Sequence, residues 1–200
     1  MATLEDLATV PKVQYLALRE HVEAGDLLFY AGDDDISMLI REVTQSIWSH
    51  IGIVFKIDNL DRILLLESVE SFGVRLIPVS RYIKGVAEDI EQDAIMPNAR
   101  LVVARHTQLT EENTRALVNF GLDQIAQPYD LDEIRRIMQR IRIGEGKASR
   151  DRAYMCSELV YECFHAIGID FQYNALGFIS PQDIWADVNV HAVAEIAHNL

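Results

Sequence analysis

The 200-residue chain has few cysteines, little positive charge and no long hydrophobic run, and each scarcity removes a class of protein. Two cysteines cannot build the disulfide framework of a small secreted domain. On a helix running from Met155 to Ile167, Cys156 and Cys163 stand ~10 Å apart along the axis. That exceeds the ~7 Å Cα separation a disulfide tolerates, so both are expected as thiols in a reducing compartment. Eighteen Lys and Arg oppose 31 Asp and Glu, a formal net charge of −13. So acidic a chain is a poor partner for nucleic acid or an anionic membrane surface, both of which call for Lys and Arg. No stretch reaches the ~18 apolar residues of a membrane span. The opening "MATLEDLATVPKVQ" lacks the basic and apolar regions of a secretory signal. The expected location is therefore the cytoplasm. A phosphate-cradling glycine loop and zinc-type cysteine spacing are missing as well.

What remains is a chain that is half apolar, read as one globular α+β domain over residues 1–200. Val13 to Val22 reads as a short helix. "GDLLFYAG" reads as a strand bounded by glycines, and "DDDISMLIREVTQS" as a helix with an acidic start. "SHIGIVFKI" and "RILLLES" flank the turn-forming "DNLD" and form a hairpin, with "GVRLIPV" and "RLVVARH" as further strands. Helices are expected from Glu111 to Ala126 and from Leu131 to Ile143, the second capped by Asp130 with Glu133 three residues on. "GEGKASRDR" is a polar loop. "SPQDIWADV" opens a helix with Ser180 as N-cap and Pro181 at its first position. The pattern predicts a mostly antiparallel sheet packed against helices.

On the cysteine helix, Cys156, Leu159, Val160, Cys163 and Ile167 form one apolar stripe. Cys163 sits mid-stripe and reads as a small buried hydrophobe. Cys156 lies at the N-terminal end, where unpaired N–H groups and the helix dipole favour a thiolate. It is either a nucleophile or a second core cysteine, and a partner must decide which.

His50 opens the strand "HIGIVF", where Gly52 on the same face leaves room beside it. It can serve as the base that a cysteine nucleophile requires, or it can be a solvent-exposed strand start. A third group orients such an imidazole. Glu67, closing the apolar run "ILLLE", is the choice; otherwise it marks the strand's solvent end. Glu70, Asp58 and Asp61 are weaker candidates in turn-like stretches. His191, Glu195 and His198 could build a metal site on a C-terminal helix, but the stretch reads better as an amphipathic helix with polar residues outward. His21, His106 and His165 belong to no constellation.

"GDLLFY", "SHIGIV", "LLLESVESFGV", "QPYDL", "YMCSELVYECFHAIGI" and "SPQDI" follow one another between about Gly25 and Ile184. In that order they resemble the permuted branch of the NlpC-type papain-fold cysteine peptidases, in which the histidine strand precedes the cysteine helix. The resemblance implies a papain-like α+β fold with a small sheet against the nucleophile helix, and neither metal nor cofactor. It makes Cys156 the nucleophile, His50 the base, Glu67 the orienting residue, and Tyr129 of "QPYD" a substrate-cleft residue. The implied function is a cysteine hydrolase cleaving an amide or peptide bond through a thioester. The alternatives are a lipid acyltransferase or acyl hydrolase on the same fold, and a binding module without turnover. The expected partner is a peptide or amide-containing substrate, and the sequence leaves the oligomeric state open.

Overall fold

The computed structural model describes residues 7–32, 35–83, 99–130, 155–175 and 177–197. In chain order the elements are β1 (Lys12–Gln14), α1 (Tyr15–Leu18), β2 (Leu27–Ala31), α2 (Asp35–Thr44), β3 (His50–Ile57) and β4 (Arg62–Val69). They continue with β5 (Gly73–Pro78), β6 (Arg100–His106), α3 (Glu111–Asp123), α4 (Cys156–His165), α5 (Pro181–Trp185) and β7 (Val190–Ala197). Single 3-10 turns at Asp58–Leu60 and Val79–Tyr82 follow β3 and β5. The seven strands make one sheet in the order β1-β7-β6-β2-β3-β4-β5. Every pairing is antiparallel except β1 with β7.

Both faces of the sheet are covered, so its central strands read as continuous apolar runs rather than alternating ones. One face places Phe29, Ile51, Ile53, Leu66 and Val102 against Leu117 of α3 and Leu159, Val160, Cys163 and Phe164 of α4. The other places Leu28, Tyr30, Val54, Leu65 and Val103 against Tyr15 and Leu18 of α1 and Val79 and Tyr82 of the second 3-10 turn. Cys156, Leu159, Val160 and Cys163 of the stripe are buried while Ile167, past the helix end, is half-buried; each large buried side chain in it contributes about 1.5–3 kcal/mol. α3 approaches closely because Gly121 has no side chain; a Cβ there would meet Leu66 Cδ2 at 2.6 Å and Cys163 Sγ at 3.4 Å.

The hairpin of β3 and β4 forms as the pattern requires, with Ile53 opposite Leu66 and Ile57 opposite Arg62. The N-cap expected at Ser180 forms, and Thr110 caps α3 as well. Thr110 Oγ1 accepts from Asn113 N at the start of α3, and Ser180 Oγ accepts from Asp183 N at the start of α5, where Pro181 is the first residue. Two elements differ from expectation. Residues 13–22 are not one helix: Lys12–Gln14 is an edge strand beside β7, and only Tyr15–Leu18 is helical. The expected C-terminal helix is strand β7, because Val190 to Ile196 pair with β6 across a bulge at Val103/Ala104. The expected helix from Leu131 to Ile143, the loop "GEGKASRDR" and His198 lie outside the described residues. Among the described residues no helix is long and apolar enough to cross a membrane.

Candidate active site

α4 begins at the site. Met155 precedes it in extended conformation and donates its N–H to Glu158 Oε2 at 3.0 Å. Ser157 Oγ donates to the Ile179 carbonyl at 2.8 Å, tying the first turn to the segment ahead of α5. Cys156 is the first helical residue and is buried. Its N–H therefore has no intrahelical acceptor and lies at the positive end of the dipole.

His50 is the first residue of β3. Its strand start is held by Ser49, whose N–H donates to the Tyr30 carbonyl at 2.9 Å and whose Oγ accepts from Gly32 N at 2.9 Å. The imidazole lies edge-on to the Tyr30 ring, with centroids 5.7 Å apart. Nε2 is 2.7 Å from Glu67 Oε2, and the Cys156 thiol lies beside the ring in the same cleft, close enough to act on it electrostatically. The structure thus brings Cys156, His50 and Glu67 together. The helix packs on the face that carries Ile51 and Ile53, whereas His50 lies on the face of Val54. Helix tip and imidazole meet because each is the first residue of its element.

Gly52 acts differently from expectation. The space beside it is filled by β4: a Cβ would meet the Leu66 carbonyl at 2.7 Å and Leu65 Cδ1 at 2.8 Å. The glycine admits the neighbouring strand, and that approach brings Glu67 to His50.

Glu67 is fully buried. Besides His50 it is held by Arg75, from Nε at 2.8 Å and Nη2 at 2.7 Å to Oε1, and by the Tyr82 hydroxyl at 2.5 Å to Oε2. Sequence reasoning missed both residues. A signal existed for Arg75, which is the direct cross-strand partner of Glu67 in the β4–β5 ladder. None existed for Tyr82, which arrives on the 3-10 turn after β5.

The electrostatics follow from these contacts. Burial by itself lowers the His50 pKa. The charge and hydrogen bond of Cys156, then the hydrogen bond and charge of Glu67, override it and push it up to about 10. Burial by itself raises Glu67, but His50, Tyr82 and Arg75 hold its carboxyl below the ordinary value of 4.5. Tyr82 is raised by burial and by the adjacent carboxylate. Cys163 is fully buried, and burial followed by the Glu162 charge pushes its thiol up to about 12. Both cysteines are free.

A cleft of about 300 Å³ opens over Cys156 and His50. Its wall includes Ser68, Glu70, Phe72, Tyr129 and, from α2, Ser37 and Ile40. Tyr129 reaches it because residues 126 and 127 are laced to β5: Val74 N donates to the Gln127 carbonyl and Ala126 N to the Val74 carbonyl, both at 2.9 Å. Burial raises the Tyr129 phenol, as do the charges of Cys156, Glu70, Glu158 and Asp130. The weaker acidic candidates are elsewhere engaged or at the rim. Asp61 pairs with Arg19 and Asp58 with Lys56, while Glu70 lines the cleft.

Among the described residues no group of three or more His, Cys, Asp and Glu side chains is placed to hold a metal ion. The helical spacing of His191 and Glu195 does not exist on a strand, and Glu195 instead pairs with Arg100 at 2.8 Å. His106 packs against Phe164 and Phe171, and His165 pairs with Asp170.

A family model described as a permuted papain-like amidase enzyme, YaeF/YiiX, C92 family, matches residues 21–186. The crystal structure of the metalloprotein yiiX from Escherichia coli O157:H7 is similar to this chain. Its TM-score is 0.66 at 19% identity, covering 88% of this chain and 98% of that one. At that identity the likeness concerns the fold alone. No curated protein matches.

Proposed function

The chain belongs to the family of permuted papain-like amidases, and from that premise we propose that Cys156, His50 and Glu67 hydrolyse an amide or peptide bond through a thioester. The observation that carries the reading is the imidazole of His50 hydrogen-bonded to the Glu67 carboxylate and facing the same cleft as the Cys156 thiol. Three such groups are what a cysteine nucleophile needs: a proton acceptor within reach, and an anion that fixes the acceptor's tautomer.

The proton passes from Cys156 to His50, and the thiolate attacks the carbonyl carbon. The negative charge that develops on oxygen is met by the N–H of Cys156 at the start of α4. The C–N bond then breaks, its electron pair stays on nitrogen, and nitrogen takes the proton from His50. A free amine departs and a thioester remains. Water attacks the thioester while His50 takes one of its protons. The C–S bond breaks, the sulfur leaves as thiolate beside imidazolium, and a carboxylic acid is released.

Tyr129 is the proposed substrate contact, since it stands half-buried in the cleft wall close to Cys156. A peptide or amide substrate follows from the amidase family; the cleft, at the small end of ligand sites, offers Ser68, Glu70 and Tyr129 beside the apolar Ile40, Val69 and Phe72. Two buried free thiols also fit a reducing, cytoplasmic setting. The structural neighbour is described as a metalloprotein, but the described residues of this site do not fit a metal. Both Glu67 oxygens are taken, and the Arg75 guanidinium already supplies the positive charge beside them.

The test offers wild type and Cys156→Ala a set of peptide amides beside a lipid ester. The reading expects amine release from the peptides by wild type alone. Turnover of the lipid ester with the peptides untouched would replace it with lipid acyl chemistry. No turnover of either above the Cys156→Ala background would leave a binding module.

A further inference from the structure

Glu67 has more partners than an orienting carboxylate requires, and one of them is a full positive charge. Arg75 spends two N–H groups on Oε1 while His50 and Tyr82 share Oε2. The guanidinium is itself held by the Phe72 ring, whose centroid lies 5.1 Å from Cζ. Because Arg75 stands directly opposite Glu67 in the β4–β5 ladder, strand register as well as a flexible stem delivers the charge.

The reaction asks opposite things of His50. It must hold a proton beside the thiolate, and then release that proton to the leaving nitrogen once the sulfur's electron pair has become the C–S bond. A lone buried carboxylate 2.7 Å away would keep the proton on the ring, because opposite charges in a poorly solvated site bind strongly. A cation on the carboxylate's other oxygen weakens that hold.

We propose that Arg75 is a positioning residue of this site, whose guanidinium offsets the Glu67 charge so that His50 can hand its proton to the departing amine. The thiolate–imidazolium pair and the Glu67–Arg75 pair then sum to zero, and the proton moves within a balanced set of charges. The groups that face His50 are Cys156 from α4, Glu67 from β4, Arg75 behind it on β5, Tyr82 from the 3-10 turn and Tyr30 from β2. Glu70 and Tyr129 line the same cleft. Of these, Arg75 is the permanent cation.

This role rests on the hydrolase reading, but its test needs no substrate. The His50 imidazole is titrated by NMR in Cys156→Ala, which removes the thiolate charge as acylation does, and then with Arg75→Gln, Arg75→Met or Arg75→Lys added. The expected result is an upward shift on the order of one pH unit in the Gln and Met variants, with the Lys variant returning close to Cys156→Ala alone. Either uncharged variant suffices if the other does not fold. An unchanged or lowered His50 midpoint, or a Lys variant that shifts as far as Gln, overturns the proposal. If wild type hydrolyses no amide, the hydrolase reading falls, while the titration still decides what Arg75 does to His50.

Discussion

Replacing Glu67 by Gln keeps the shape of the site and removes one charge. The carboxylate is fully buried, and its partners are poorly hydrated: the His50 side chain is 15% exposed and that of Arg75 23%. Removing one member of a buried pair costs about 3–5 kcal/mol, because the other charge is left uncompensated. The residual exposure of Arg75 and the amide oxygen that Gln still offers reduce this to about 2–4 kcal/mol at pH 7. A mid-range loss of about 3 kcal/mol lowers Tm by roughly 6–12 °C for a chain of this size. The pH dependence has a definite sign. Glu67 is held below its ordinary 4.5 in the fold, so its contribution is fully present above that value and is lost as pH falls through the lower folded one. Urea denaturation of wild type and Glu67→Gln should therefore show a gap at pH 6 that narrows below pH 4.5. A variant within about 0.5 kcal/mol of wild type at pH 7, or a gap undiminished at pH 3, refutes the picture of Glu67 as an ionised buried hub.

His50 is raised to about 10, so the imidazolium form persists up to that pH. The alkaline limb of kcat/KM should fall there rather than near the 6.5 of an ordinary histidine. Gly73→Ala places a Cβ 2.1 Å from the Gln127 carbonyl at a residue with φ of +67°; it should cost about 2–4 kcal/mol in urea denaturation and impair turnover by displacing Tyr129. Ser180→Ala removes the cap of α5, which accepts from Asp183 N and donates to Asp183 Oδ2 at 2.6 Å. A loss of about 1 kcal/mol with turnover retained is expected.

The parts of the fold that local pattern decides were legible. The β3–β4 hairpin follows from two apolar runs around "DNLD", and α4 from a single apolar stripe from Cys156 to Ile167, of which the helix takes in all but the last residue. The pairing of Cys156 with His50 needed more than pattern, since the two are carried on different elements and meet only at their first residues. Elements decided by distant partners were misread. "VHAVAEIA" has alanines and a spacing that suit a helix, yet β6 on one side and β1 on the other make it a strand. Lys12–Gln14 was lost to the same pairing. At the site, Arg75 was visible in principle as the residue opposite Glu67 once β4 and β5 are aligned. Tyr82 was not, because no periodicity places a tyrosine on a 3-10 turn under a buried carboxylate. Gly52 was singled out for the right reason and the wrong neighbour: the room it leaves belongs to β4.

The sharpest measurement is the alkylation of Cys156 by iodoacetamide near pH 6, read by peptide mapping with Cys163 as an internal reference and His50→Ala as a control. A sulfur that shares its proton with His50 is alkylated rapidly at that pH, while Cys163, buried with its thiol pushed up to about 12, stays unmodified, and His50→Ala slows Cys156 sharply. Modification of Cys156 no faster than Cys163, or a rate indifferent to the loss of His50, contradicts the pairing of thiol and imidazole.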